Sequence, residues 1–232
     1  MTVPSTPARR LRRYAAGTAL VAFPLVLIAQ EFTNPLTEGD GQDFLAVAAG
    51  ESRIALVTSM VLLMLTAVLI ITAVSGVVHQ ARDRGAALAD TGAAFMVLGG
   101  LAFFGEAVIW MTAMALPGGD PTEMAAYFDR MTDSALVGTV ATTLFVCFAI
   151  GAAVLPWAAW RAGAVHWWVP ALATIAVVAE FGLPFHSTAS EIVVFTALAA
   201  AYGAIGLRVL RMTDAEWDGV RSSIRAEAPV PA

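Results

Sequence analysis

Apolar residues in this chain gather into long runs that almost no charged residue interrupts. The runs lie at about residues 14–30, 54–78, 92–116, 134–160, 167–185 and 192–207. About 20 apolar residues span the hydrocarbon core of a bilayer as a helix, and a helix satisfies its own backbone hydrogen bonds in lipid. The pattern therefore predicts an all-α fold, a polytopic transmembrane helical bundle with six spans within residues 14–211.

The segments on either side of this predicted bundle are polar. Residues 1–13 form a basic N-terminus, and residues 212–232 form a polar tail that we expect to be loose. Because the first apolar run follows arginines, it also fits the apolar core of a signal peptide. The best cleavage site would place Leu27 and Ala29 at the small-residue positions, where leucine fits poorly. We therefore expect this run to be retained as the first helix.

Charged residues predict how the bundle is oriented in the membrane. With a cytoplasmic N-terminus, eleven of the 13 basic residues, all arginines, fall in cytoplasmic segments, and only Arg53 and Arg130 fall outside. The outer segments carry ten acidic residues. This is the positive-inside pattern, and it predicts that both termini are cytoplasmic. We expect a multi-pass protein of the bacterial plasma membrane, in contact with membrane lipids.

Composition excludes several other classes of protein. The chain is 59% hydrophobic and 13% charged, whereas soluble domains are about 45–50% apolar and about 25% charged. A soluble enzyme and a disordered chain are therefore excluded. A net charge of −5 without a basic surface argues against a nucleic-acid partner. The single cysteine, Cys147, can form neither an internal disulfide nor a cysteine metal cluster.

Two long outer loops, 31–53 and 117–133, resemble each other when they are aligned without a gap so that Asp40 falls on Asp120. Seven of 22 aligned positions are identical. Asp40 and Asp120 can each cap a short amphipathic helix on the outer surface, and Pro121 suits a first helical position. Two irregular polar loops are the alternative. If the repeat extends through the chain, the bundle consists of three helical hairpins, the last with a short loop.

Two glutamates interrupt the apolar runs. Glu106 lies near the middle of the third run, and Glu180 lies near the outer end of the fifth. An ionisable side chain inside a span is costly, so it is a functional hypothesis by default. Both fall in the outer half of the membrane on parallel helices, a placement that allows them to share one cavity that opens outward but does not decide whether they do. Trp110, Glu31 at the rim and His186 above complete this candidate site.

Carboxyl groups away from water favour their neutral form, which can donate a hydrogen bond, relay a proton or protonate a substrate. The structural alternative is a protonated glutamate bonded to a hydroxyl of the fourth helix, where Thr139 and Thr143 lie one helical turn apart. The glutamates and His186 carry metal-ligand atoms, but no pair has a diagnostic spacing, so no metal is predicted. Haem is excluded because no span contains a histidine, and no other cofactor is predicted.

The order of these features has a counterpart among known sequences. An arginine-rich start leads into Phe23-Pro24-Leu25, and an acidic loop with an alanine-rich segment from Phe44 to Ala49 follows. Uncharged hairpins and one carboxylate midway through the third run complete the pattern. The chain in this respect resembles the uncharacterised small six-span integral membrane proteins of GC-rich bacteria. The resemblance covers most of the chain at the level of hydropathy, and it implies a fold but no activity.

Three functions fit these features. The first is binding or transport of a small lipophilic or cationic solute through an outward-facing cavity, with the glutamates coupling a proton. The second is a membrane-embedded enzyme that acts on a lipid or isoprenoid, with Glu106 as acid and Glu180 as its partner. The third is an accessory subunit of a membrane complex. Ala199, Gly203 and Gly206 form a small-residue face on the last span, suited to packing within the chain or to a homo-oligomer.

Overall fold

The computed structural model describes residues 7–36, 40–115, 120–182 and 188–217, and within these ranges the chain is helical. The helices there are α1 Pro7–Thr33, α2 Gly41–Ala49, α3 Arg53–Ala81, α4 Ala86–Ala115, α5 Pro121–Thr132, α6 Ala135–Arg161, α7 Trp168–Gly182, α8 Thr188–Arg211 and α9 Asp214–Trp217. Five of them, α1, α3, α4, α6 and α8, are long and apolar enough to cross a membrane. The sixth apolar helix, α7, is shorter.

The six apolar helices form a closed ring. Each packs against the next one along the chain, in the order α1, α3, α4, α6, α7 and α8, and α8 closes the ring against α1. Further contacts between α3 and α6 cross the ring. The side chains of Leu20, Ile70, Leu155 and Tyr202 are fully buried inside it. Successive helices of the ring therefore run in opposite directions. The ring has two ends, and different kinds of residues lie at each.

The outer surface of the ring is apolar, as expected for a helix bundle in lipid. Val61, Val68 and Ile71 on α3 and Ile175 and Val178 on α7 are all more than half exposed. A helix that is hydrophobic all round is typical of a membrane span or of a large core, and these side chains point away from the core of the ring. The hydropathy and the exposed surface therefore both indicate an integral membrane protein.

The two short helices α2 and α5 lie together at one end of the ring, which we call the cap end. Both begin at the predicted caps, since the Asp40 side chain accepts from the Asp43 N–H and the Asp120 side chain accepts from the Thr122 N–H. The rings of Phe44 and Phe128 stack between the two helices with centroids 4.5 Å apart. The two predicted outer helices thus form one paired unit.

Helix bounds repeat with the same offset as the loop alignment. With the offset that pairs Asp40 with Asp120, the start of α2 falls on the start of α5, and the end of α3 falls on the end of α6. The starts of α1 and α4 depart from this offset by a single position. The turns that follow α3 and α6 each use a glycine with positive φ, Gly85 at 94° and Gly163 at 73°. The first two hairpins therefore share the order of their elements and most of their helix bounds.

Glycines let neighbouring helices in the ring approach closely. A Cβ on Gly99 of α4 would overlap the backbone of Phe148 on α6, and one on Gly151 of α6 would overlap Met96 on α4. Gly206 of α8 meets the carbonyl oxygen of the α1 glycine opposite it in the same way. Gly206 thus packs within the chain, whereas nothing lies within contact distance of a Cβ added to the third member of the predicted small-residue face, Gly203.

The opposite end of the ring, which we call the arginine end, is closed by the beginning of the polar tail. Arg13, only 5% exposed, donates to the carbonyl oxygens of Leu210 and Met212 and lies 3.2 Å from Asp214. Trp217 stacks on His79 with ring centroids 4.1 Å apart. The expectation of a loose tail is therefore wrong for its first residues, because a buried guanidinium and an aromatic pair hold α9 against the ring.

Four helices, α1, α3, α4 and α8, are longer than the apolar runs that predicted them. The first, α1, begins at Pro7 within the arginine-rich segment, and α8 extends through Arg208 to Arg211. A hydropathy run marks the apolar part of a helix, and arginine is a good helix former. Charged residues therefore lengthen these helices without changing the order of the elements.

Candidate functional site

A cavity of about 460 Å³ lies between the helices in the half of the ring nearest the cap end. All six apolar helices contribute to its wall. Four carboxylates line it, from four different helices: Glu31, Glu106, Glu180 and Glu191. The volume falls within the range of about 300–1,000 Å³ that is usual for small-molecule sites. The structure thus brings Glu31, Glu106 and Glu180 to one cavity, a point that the sequence left open.

The ends of the helices explain how the carboxylates come together. Glu31 is in the last turn of α1, Glu180 is in the last turn of α7, and Glu191 is in the first turn of α8. Glu106 lies more than two turns before the end of α4, which corresponds to a depth of about 13 Å. The cavity thus has three carboxylates near its mouth and one deeper in the ring.

The carboxylates belong to the wall of an open cavity and not to the sealed core. All four are partly exposed, whereas the buried polar residues of the described chain are Arg13, Gln30, Ser59 and Thr66. Glu31 is close enough to Glu191 for a hydrogen bond between their side chains, and Glu106 and Glu180 are near enough to act on its charge. Buried carboxylates, as expected from the positions of Glu106 and Glu180 within spans, are therefore not evident.

Gln30 is the one deeply buried polar side chain in the described wall of the cavity, at 4% exposure. Its Nε2 donates to the Ser59 hydroxyl at 3.1 Å, which ties α1 to α3. Its Oε1 accepts no hydrogen bond from any described residue. Among described residues Glu106 likewise has neither a hydrogen bond nor an ion pair. The cavity therefore contains at least two acceptor groups, Gln30 Oε1 and the Glu106 carboxylate, that no described residue satisfies.

Phenylalanine rings form the apolar part of the wall. Phe103 of α4 makes edge-to-face contacts with Phe145 and Phe148 of α6, with centroids 5.6 Å and 5.0 Å apart. Phe181 of α7 and Phe195 of α8 line the cavity as well. The site combines a carboxylate mouth with an aromatic wall, so it suits a molecule that has both a polar and an apolar part.

The other predicted site residues are placed differently. Trp110 is buried in the core at 7% exposure and is outside the described cavity wall. Thr139 and Thr143 line a neighbouring groove beside α6, and the Thr143 hydroxyl donates to the Thr139 carbonyl of its own helix. Thr142 lines both the groove and the cavity. His186 lies outside the described residues.

Sequence reasoning missed Gln30, Glu191 and the phenylalanines. Glu191 had the appearance of a loop acid, because the apolar run begins after it, yet α8 already starts at Thr188. Gln30 stands at the end of the first apolar run, where a polar residue is ordinary and does not indicate a site. The pair Gln30-Glu31 did carry a sequence signal, because two adjacent polar residues lie in the last turn of the first helix, where the apolar run ends.

The carboxylates do not form a compact metal site. Within the described residues, no three histidine, cysteine, aspartate or glutamate side chains are grouped as metal ligands. Four carboxylates therefore surround a space without converging on one point, and an occupant would have to extend across that space.

The fold and the site define a helical integral membrane protein with an open, carboxylate-lined cavity. Comparison with family models, with curated proteins and with solved structures finds no match to this chain.

Proposed function

We propose that this protein binds a small cationic or lipophilic solute in the cavity between its six helices and moves it across the plasma membrane in exchange for a proton. The observation that carries the proposal is the set of four carboxylates, from α1, α4, α7 and α8, that line one open cavity with phenylalanines. Intramembrane carboxylates facing a cavity are typical of substrate and proton pathways.

The proposal places the cap end outside the cell and the arginine end in the cytoplasm. Arg82 and Arg208 line a second, smaller cavity of about 280 Å³ at the arginine end, and arginines concentrate on the cytoplasmic side of membrane proteins. With α7 as the sixth span, both termini are cytoplasmic. The carboxylate cavity then opens outward, where it meets solutes that arrive from outside the cell.

Glu106 is the group best placed to couple a proton, because it is the deepest of the four carboxylates and lacks a protein partner among described residues. A solute with positive charge and a proton would compete for this carboxylate. Proton release on solute binding, and reprotonation on solute release, would then link the two movements.

Proteoliposomes with a pH-sensitive dye in the lumen test this proposal. The solutes are trimethyl(phenylbutyl)ammonium, which is permanently charged, and the neutral phenylbutanol. We expect at least one of them to drive proton movement beyond that in protein-free liposomes, and Glu106→Gln to abolish it. Glu123→Gln is the matched control, because Glu123 is exposed on α5 outside the described cavity wall. No proton movement with either solute would contradict the proposal.

One observation favours the enzyme as a second candidate. From Ala135 to Cys147, the half of α6 nearest the cap end has no buried residue, whereas Phe148, Ala149 and Gly151 just beyond are buried. Loose packing along this wall would admit a lipid from the side. The same reconstituted protein distinguishes the two, because an enzyme converts an added lipid or isoprenoid into a product without moving protons across the membrane.

A further inference from the structure

The wall of the carboxylate cavity offers more acceptors than donors. Carboxylate oxygens and the Oε1 of Gln30 can accept hydrogen bonds, the Thr142 hydroxyl and the Asn34 amide can donate them, and no lysine, arginine or histidine is present among the described lining residues. The Oδ1 of Asn34 is already occupied by the Leu36 N–H at 3.2 Å. An occupant that displaces water from such an acceptor without replacing its hydrogen bond loses about 1–3 kcal/mol. An occupant of this cavity is therefore expected to bring N–H donors and positive charge.

An inorganic cation does not fit this arrangement. Small hard cations are held by several oxygens at about 2–2.6 Å, and the described carboxylates are not grouped in that way. The cavity is also much larger than a single ion, at about 460 Å³. The distribution of the acceptors around the space suits a charged group on a larger molecule.

The aromatic wall supplies the second half of the recognition. Phe103 is 6% exposed and is held edge-on between Phe145 and Phe148. Aromatic faces attract organic cations through their negative quadrupole, and they also bury the apolar body of a ligand. Carboxylate, amide oxygen and aromatic ring together form the usual surroundings of a protonated amine.

We infer that the cavity recognises a hydrophobic organic ammonium ion, with its N–H groups at Glu106 and Gln30 and its apolar body against the Phe103 cluster. The inference rests on the proposed function and narrows its solute from "cationic or lipophilic" to one that is both. Neutral lipophilic molecules leave the acceptors unpaired, and inorganic cations leave the phenylalanine wall uncovered.

Calorimetric titration of the purified protein in nanodiscs tests the inference, with empty nanodiscs as the blank. The probes are phenylbutylammonium, trimethyl(phenylbutyl)ammonium, phenylbutanol and phenylbutanoate, which share one apolar body. We expect phenylbutylammonium to bind most tightly and the trimethyl analogue more weakly, because it has charge but no N–H donor. Phenylbutanol should bind at least about tenfold more weakly than phenylbutylammonium, and phenylbutanoate should not bind.

Variants assign the two halves of the site. Glu106→Gln should weaken phenylbutylammonium binding by about tenfold or more, and leave phenylbutanol binding unchanged. Phe103→Leu should weaken all bound probes severalfold, whereas Phe104→Leu should not, because Phe104 is 47% exposed on the outer face of the same helix. Melting temperatures without ligand show whether each variant is folded.

Three results would overturn the inference. These are equal affinities for phenylbutanol and phenylbutylammonium, absence of phenylbutylammonium binding to the wild type, and undiminished binding to a folded Glu106→Gln variant. Equal affinities together with proton movement driven by phenylbutanol would leave the proposed function intact and show that the cavity ignores charge. Absence of both binding and proton movement would remove the proposed function as well.

Discussion

Arg13 shows how one side chain joins the two termini of the described chain. It lies on α1, yet its guanidinium donates to two carbonyl oxygens at the end of α8 and pairs with Asp214 of α9. In the sequence it is one of four arginines near the N-terminus, and the sequence predicts a solvent-exposed side chain there. Only the packing of α1 against α8 distinguishes it from Arg12, which is exposed.

Arg13→Lys should lower the free energy of unfolding by about 2 kcal/mol, because a single ammonium cannot make the hydrogen bonds of a forked guanidinium. Arg12→Lys is the matched control and should leave stability unchanged. Chemical unfolding in detergent, followed by tryptophan fluorescence, measures both. Equal stability of the two variants would show that the contacts of Arg13 contribute nothing to the fold.

The candidate site was predictable at the residue scale only where a residue breaks the hydropathy pattern. Glu106 and Glu180 stand out because they interrupt apolar runs, and helix orientation then places them at one end of the ring. Gln30 and Phe103 give no such signal, because one ends a run and the other continues one. Their roles depend on which helices are neighbours, and this is decided by tertiary packing.

At the scale of helices, the contact of α4 with α6 determines the shape of the wall that carries Glu106 and Phe103. The contact depends on Gly99, where a Cβ would overlap the Phe148 backbone. Element order and approximate bounds followed from hydropathy, because lipid requires long apolar helices. Close contacts did not, since a glycine in a span looks the same whether a neighbour touches it or not.

Gly99→Ala should destabilise the protein by about 1–3 kcal/mol, because the two helices must separate to admit the methyl group. Gly105→Ala on the same helix is the control, since nothing lies within 4 Å of the corresponding Cβ. Gly105→Ala should be neutral or slightly stabilising, because alanine is the better helix former. Unfolding of both variants in the same detergent provides the comparison. A loss of stability in Gly105→Ala equal to that in Gly99→Ala would contradict the packing argument.

For the whole molecule, the number of spans depends on α7. Its 15 residues extend about 22 Å, less than the hydrocarbon core of about 30 Å, so length alone does not decide whether it crosses. Packing is more informative, because Arg13 near the start of α1 contacts Asp214 beyond the end of α8. Residues in contact lie on the same side of a membrane, and this requires an even number of crossings.

If all five long helices cross, this contact predicts α7 as the sixth crossing. Single cysteines in a Cys147→Ser background test it with a membrane-impermeant maleimide on right-side-out vesicles. Cysteines at Glu123 and at Ala189, before and after α6 and α7, should react from outside. Those at Asp83 and Ala164, in the two turns at the arginine end, should react only after permeabilisation.

If Ala189 and Ala164 label from the same side, α7 does not cross, and the carboxylates of α7 and α8 cannot form the outward cavity. If all four labels are reversed, the six spans stand and the cavity faces the cytoplasm, so its solute would come from inside the cell.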